Sequence, residues 1–113
     1  MIKYKALGLI FVLALLAVGV VLWAGQRPKM ILFYSLSCPH CQVVEKYIGD
    51  NGVRDRFRFQ ELEVSQNQAN ASLMERKARA CGLDAAQGLG VPFFFDGQNC
   101  LMGDQEIIRY FQK

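Results

Sequence analysis

Two cysteines separated by two residues are the part of this sequence best suited to chemistry. The motif Cys38-Pro39-His40-Cys41 follows an apolar run and opens a segment with helical periodicity. On the first turn of a helix, this spacing places both sulfurs on one side, within reach of a disulfide bond. Pro39 suits the first helical position, where its missing N–H leaves no hydrogen bond unmade. The motif therefore predicts a redox-active pair at a helix N-terminus.

The two cysteines have different predicted roles. Cys38 lies at the predicted N-cap, where backbone N–H groups and the positive end of the helix dipole stabilise a thiolate. Cys38 is therefore the predicted nucleophile, and Cys41, one turn deeper, the predicted resolving cysteine. His40 is the only histidine of the chain. Its ring, together with Pro39, is predicted to tune the acidity of Cys38, and a solvent-facing filler is the alternative.

An isolated CxxC motif is also found as half of a zinc site or as a structural pair. A four-ligand zinc site would need Cys81 and Cys100, but these do not form a second closely spaced pair. We therefore expect no metal ion at Cys38 and Cys41. Thiol–disulfide exchange between this pair of cysteines and a substrate needs no prosthetic group.

The apolar pattern predicts the strands and helices that hold this pair in place. An almost continuous apolar run predicts a strand over residues 30–35, buried on both faces, and a helix follows over residues 39–50. Alternating phenylalanines predict a second strand over residues 57–64. A stripe of apolar residues predicts a second helix over residues 70–81. The order to this point is β-α-β-α.

The C-terminal third predicts a hairpin and a last helix. Short apolar segments at residues 91–95 and 98–102 flank Asp96-Gly97, a dipeptide that accepts the positive φ angles of a tight turn. Asp104 is predicted to cap a helix that ends at Phe111. The complete pattern, β-α-β-α-β-β-α, predicts one small α/β domain.

Residues 30–113 resemble the small, glutaredoxin-like members of the thioredoxin superfamily. The resemblance rests on a CxxC motif between a strand and a helix and on Val91-Pro92 ahead of the hairpin. It implies a central mixed four-stranded sheet, in which Pro92 has a cis peptide bond and packs against the CxxC pair. It also implies that the backbone of Val91 pairs with an extended substrate segment. The Pro-His dipeptide is similar to that of bacterial periplasmic disulfide oxidases.

The other two cysteines have a structural character in such a fold. Cys81 ends the second helix and Cys100 follows the hairpin turn, both at the edge of the domain away from the CxxC motif. We expect a structural disulfide that closes a loop of about twenty residues and stabilises the domain by about 3 kcal/mol. Two buried free thiols are the alternative.

Residues 1–25 predict an N-terminal transmembrane anchor. Residues 6–24 carry no charge, and as a helix they would span roughly 28 Å, enough to cross the hydrocarbon of a bilayer. A cleaved signal peptide is the alternative, although the apolar run is longer than is usual for one. Residues 26–29, which include Pro28, are the predicted linker to the domain.

Charge argues against one class of function and bears on sidedness. Residues 30–113 carry nine basic and ten acidic residues, so a nucleic-acid role has no electrostatic support.

The charges that flank the span are nearly balanced, with Lys3 and Lys5 on one side and Arg27 and Lys29 on the other. A short tail before a first span usually stays in the cytoplasm, and disulfides form in oxidising compartments. We therefore expect an extracytoplasmic, periplasmic domain on the cytoplasmic membrane.

These observations predict a membrane-anchored thiol–disulfide oxidoreductase. Cys38 and Cys41 would exchange disulfides with protein thiols, and a membrane or soluble redox partner would reset them, with the direction of electron flow left open. One alternative is a cytoplasm-facing glutaredoxin that uses glutathione. Another is a redox-silent assembly module of a membrane complex or a metallochaperone, although the chain lacks the CxxxC and distant histidine of membrane-tethered copper chaperones.

Overall fold

The N-terminal helix is the first element of the computed structural model, which describes residues 2–24 and 29–113. Residues 1 and 25–28 lie outside this description, so of the predicted linker only Lys29 is described. Helix α1 spans Ile2–Ala24. By length and composition it is long and apolar enough to cross a membrane, and its side chains from residue 3 to residue 21 are all exposed.

Four strands form one mixed sheet. They are β1 (Met30–Tyr34), β2 (Phe59–Glu63), β3 (Phe93–Phe95) and β4 (Cys100–Met102). The spatial order is β2-β1-β3-β4. Strand β1 pairs in parallel with β2 and antiparallel with β3, and β3 pairs antiparallel with β4. The predicted mixed four-stranded sheet is confirmed, with β1 in its interior.

Helices cover both faces of the sheet. They are α2 (Pro39–Asp50), α3 (Val53–Arg56), α4 (Gln68–Ala80) and α5 (Asp104–Phe111). Leu32 of β1 packs in one apolar cluster with α2 and α5, whereas Ile31 and Phe33 pack in a second cluster with α4. Because neighbouring residues of a strand point to opposite faces, residues of the same five-residue strand belong to both clusters. This explains the continuous apolar run in the sequence.

Some predicted boundaries differ from the structure. The strand predicted over residues 57–64 is shorter, and the one-turn helix α3 before it was not predicted. Strand β4 begins at Cys100 rather than at residue 98, because Asp96 folds a longer turn by accepting hydrogen bonds from the N–H groups of Gln98 and Asn99. A short 3₁₀ helix at Ala85–Gln87 was also not predicted.

The predicted cap of the last helix is wrong by one residue. Gly103, with φ of 90°, takes the N-cap position of α5, and Asp104 is the first helical residue. The Asp104 carboxylate accepts a hydrogen bond from the Gln105 N–H, at 2.9 Å. Glycine is suited to this position because a positive φ strains residues that carry a Cβ.

Candidate functional site

Cys38 lies in the loop that leaves the carboxyl end of β1. Its N–H donates to the Ser35 carbonyl at 3.2 Å, and its own carbonyl accepts the Gln42 N–H at 3.2 Å. Cys38 is the N-cap residue of α2, with an extended backbone, and Pro39 follows as the first helical residue. The predicted position is therefore confirmed, although the Cys38 side chain makes no capping hydrogen bond to α2. Its sulfur lies instead 3.5 Å from the Val91 carbonyl oxygen, to which the thiol donates.

Cys41 lies one turn further along α2 and is only 5% exposed, whereas Cys38 is half-buried. The two thiols lie close enough together for Cys38 to affect the ionisation of Cys41. Burial raises the pKa of the Cys41 thiol to about 11, a backbone hydrogen bond from Ser35 partly opposes this, and the neighbouring Cys38 thiol adds to it. The two sulfurs thus differ in access: Cys38 is partly open to solvent, whereas Cys41 is almost completely buried.

The Val91-Pro92 segment lies against this pair. The peptide bond between Val91 and Pro92 is cis. Pro92 is buried, and its carbonyl accepts the Gly103 N–H at 3.0 Å, which ties the segment to the start of α5. Residues 38 and 91 are thus brought together from positions 53 apart in the sequence.

A cavity of about 370 Å³ opens beside Cys41 and Pro92. Its deep wall is apolar and includes Leu32 and Val44, and the exposed Leu36 lies at its mouth. The cavity therefore connects solvent with the buried member of the cysteine pair.

A charged cluster forms another wall of this cavity. Glu45 of α2 and Glu61 of β2 both line it, and the Arg54 guanidinium of α3 donates to both carboxylates. The pKa of Arg54 is raised, chiefly by the hydrogen bond to Glu61 and next by the hydrogen bond to Glu45, while burial acts in the opposite direction. The cluster fixes α2, α3 and β2 relative to one another around the cavity.

Glu63, at the carboxyl end of β2, holds the loop before Cys38. Its carboxylate accepts the N–H of Leu36 at 2.8 Å and the N–H of Gln66 at 2.7 Å, together with the Ser65 hydroxyl. Although burial opposes ionisation, these donors hold the pKa of Glu63 below its usual range. Sequence reasoning did not identify Glu63, because a glutamate at a strand end carries no signal of a partner 27 residues away.

The His40 ring lies on the surface and faces α5. Its side chain is 71% exposed, and Nδ1 lies 3.2 Å from the Asp104 carboxylate, which is mostly buried. The hydrogen bond with His40 is the main reason that the pKa of Asp104 is lowered. Within residues 29–113, the hydrogen-bond partner of the ring is therefore Asp104, a residue that the sequence suggested only as a helix cap.

Cys81 and Cys100 form a disulfide with an S–S distance of 2.10 Å and a Cα–Cα distance of 6.1 Å. The bond joins the end of α4 to the edge strand β4. Cys100 pairs with Phe95 at the end of β3, whereas Pro92 and Cys38 lie beyond the start of β3. The structure therefore separates this disulfide from the CxxC pair.

Metal ligands do not cluster in the part of the chain that the structure describes. Over residues 2–24 and 29–113, no three side chains among His, Cys, Asp and Glu are close enough together to hold a metal ion.

The chain matches no family model and no curated protein. The chemistry open to the chain therefore follows from the geometry of Cys38, Cys41 and their surroundings.

Proposed function

We propose that this chain is a membrane-anchored thiol–disulfide oxidoreductase whose redox pair is Cys38 and Cys41. The carrying observation is the unequal placement of two neighbouring thiols: Cys38 is half-buried at the N-terminus of α2, and Cys41 is buried one turn behind it. The arrangement of a CxxC helix beside Val91-Pro92 and a mixed four-stranded sheet resembles the thioredoxin superfamily, of which we propose it as a small, glutaredoxin-like member.

The proposed reaction proceeds in two exchanges. The Cys38 thiolate attacks one sulfur of a substrate disulfide, so that a mixed disulfide forms and the first substrate sulfur leaves as a thiolate. Cys41 then loses its proton and attacks the Cys38 sulfur, which releases the second substrate thiolate and leaves a Cys38–Cys41 disulfide. The two protons of the CxxC thiols balance those taken up by the substrate thiols, and two electrons pass to the substrate. The same steps in reverse oxidise a substrate dithiol.

Protein thiols or disulfides are the proposed substrates. Within the described residues outside α1, the large apolar side chains that are exposed are Leu36 and Val43, which flank the CxxC motif. An extended, partly unfolded polypeptide offers both apolar side chains and backbone groups, and the Val91 carbonyl next to Cys38 is placed to accept a backbone N–H from it. A separate redox partner, in the membrane or soluble, would reset the pair.

Two cysteine variants test the assignment. With purified full-length protein and a disulfide-containing peptide, Cys41→Ser should accumulate a mixed disulfide through Cys38, because the resolving thiol is missing. Cys38→Ser should accumulate none, since Cys41 is buried. The wild-type chain should turn over with no trapped intermediate, as followed by mass spectrometry.

The same assay separates the alternatives. A trapped adduct with Cys41 in place of Cys38 would reverse the roles. Exchange that requires glutathione would favour the glutaredoxin, and no exchange by any variant would favour a redox-silent module. The reduction potential of the pair, compared with that of its compartment, would then give the direction of electron flow.

A further inference from the structure

Basic side chains gather at the end of the sheet where the chain enters from α1. Strands β1 and β2 are parallel, and Met30 pairs with Phe59. Lys29 and Arg58, which immediately precede these two residues, are therefore neighbours at the starting edge of the sheet. The active-site loop follows the carboxyl end of β1, at the opposite edge.

Arg56 and Lys113 extend this basic surface. The Arg56 guanidinium donates to the Phe111 carbonyl at 3.0 Å and to the Lys113 carbonyl at 3.4 Å, which places Lys113 beside α3. Lys29, Arg56, Arg58 and Lys113 are all exposed. We call these four residues the basic end.

Fewer acids than bases lie at this end. Asp55 belongs to α3, and Asp96 lies close enough to Lys113 for their charges to interact. Asp50 is neutralised by Lys46, 2.6 Å away. Glu106 and Arg109, which line a surface pocket with Lys113, offset each other. Four basic side chains are therefore opposed by two carboxylate side chains at this end, although residues 30–113 together carry one more acid than bases.

Aromatic rings lie directly under these cations. The Arg56 guanidinium is 5.4 Å from the centre of the Phe57 ring, and the Lys113 ammonium is 4.6 Å from the centre of the Tyr110 ring. The two rings contact each other, with centres 5.9 Å apart, and both are half-buried. Basic side chains above half-exposed aromatic rings are suited to the headgroup level of a bilayer.

We propose that the basic end is a lipid-binding surface, which docks the domain on anionic headgroups of the membrane that holds α1. This inference rests on the part of the proposed function that makes α1 a membrane anchor. Five peptide steps separate Ala24 from Lys29, and an extended chain of that length covers at most about 18 Å. Covalent connection therefore keeps Lys29 near the surface, and basic side chains held close to a bilayer are attracted to anionic headgroups.

Docking in this way directs the redox pair away from the membrane. Cys38 lies beyond the far end of β1, a strand of five residues that is roughly 16 Å long. The half-buried Cys38 sulfur would then face soluble polypeptides, with the bilayer behind it.

The experiment uses the full chain in lipid nanodiscs that carry a gadolinium chelate on a fraction of the headgroups. Attenuation of backbone amide NMR signals reports which residues approach the lipid. With phosphatidylglycerol present, the amides around Arg56, Arg58 and Lys113 should lose most of their intensity, and those of Ser37 and His40 should not. Nanodiscs of phosphatidylcholine alone, or high salt, should remove most of this difference.

A pair of matched variants tests the role of charge. Lys29→Gln with Arg58→Gln should abolish the lipid-dependent attenuation. Arg76→Gln with Arg79→Gln, which removes two exposed charges from α4 on the other face of the sheet, should reduce it much less. Three outcomes would overturn the inference. They are attenuation that does not depend on phosphatidylglycerol, attenuation that is strongest at the edge of the sheet that carries Cys38, and attenuation that is equal in both double variants. A chain that does not enter the nanodisc would overturn the anchor itself, whereas thiol exchange plays no part in this readout.

Discussion

His40 is placed between the cysteines in sequence but beside Asp104 in space. The ring is mostly solvent-exposed, and its Nδ1 faces the Asp104 carboxylate. Because Nδ1 faces Asp104, it is not available for a hydrogen bond to Cys38, so an effect of the ring on a Cys38 thiolate would act through space.

Replacing His40 with Thr should make the redox pair less oxidising. The thiolate exists only in the reduced state, so a ring that stabilises it raises the reduction potential, and its loss lowers that potential. If the ring contributes about 1.4 kcal/mol, the two-electron couple shifts by about 30 mV. Equilibration of the purified chain with glutathione buffers measures this shift.

The control for this measurement is Gln105→Thr, a change of an exposed residue next to Asp104 on α5. Its potential should equal that of the wild-type chain. A potential for the His40→Thr chain that is unchanged or higher would make His40 a surface residue without a role in the redox pair.

At the scale of secondary structure, a disulfide bond and a hydrogen-bonded turn hold the edge strand β4 in place. It has three residues and pairs only with β3 within the described sheet. The Cys81–Cys100 disulfide joins its first residue to the end of α4. The turn before it is held by the Asp96 carboxylate, which accepts the N–H groups of Gln98 and Asn99 at 2.8 and 2.6 Å.

Removing the disulfide should destabilise the domain. The double variant Cys81→Ala with Cys100→Ala frees a loop whose ends are 19 residues apart in sequence. The unfolded state gains entropy, so the free energy of unfolding should fall by about 3 kcal/mol. Urea unfolding followed by circular dichroism measures this, with Cys38→Ser plus Cys41→Ser as the control that keeps the disulfide. Equal stability of the two double variants would contradict a structural role.

Asp96→Asn should weaken the turn and change its response to acid. Burial alone would raise the pKa of Asp96, but the N–H groups of Asn99 and Gln98 outweigh it and hold the pKa below its usual range. A carboxyl with a lowered folded-state pKa stabilises the fold above its unfolded pKa of about 3.9, and this is lost as the pH falls through the folded value.

The asparagine variant should therefore lose about 1 kcal/mol of stability at pH 7. Below about pH 4 the wild-type chain also loses the stabilisation by its Asp96 carboxylate, because that group becomes protonated. The free energy of unfolding of the asparagine variant should therefore fall less in this range than that of the wild-type chain. Urea unfolding at several pH values from neutral to acid tests both parts. A constant difference between the two chains at every pH would show that the charge of Asp96 has no role.

The sequence allowed prediction of local features more readily than of distant contacts. The position of Cys38 at the start of α2 follows from Pro39 and from the apolar strand before it, all within a few residues. Helix α3 is a single turn, too short for any periodicity to appear. The contacts of Glu63 with Leu36 and of His40 with Asp104 join residues 27 and 64 apart, and only the folded sheet brings them together.

For the whole molecule, the placement of charge bears on how the chain meets the membrane. Lys3 and Lys5 precede the apolar run, and Arg27 and Lys29 follow it, so a count of flanking charges hardly distinguishes the two orientations. The disulfide between Cys81 and Cys100 favours a domain in an oxidising compartment, because reducing compartments keep such thiols free.

Cys38 provides the test of this orientation. We expect the domain outside the cytoplasm, so a membrane-impermeant maleimide added to intact cells, after mild reduction, should label the full-length chain. The Cys38→Ser variant should lose most of the label, because Cys41 is buried. The bilayer should not shield Cys38, since the loop that carries it lies at the edge of the sheet opposite the chain's entry. Labelling that appears only after lysis would place the domain in the cytoplasm. Because glutathione is abundant there, this result would favour the glutaredoxin over an exchange of disulfides with secreted proteins.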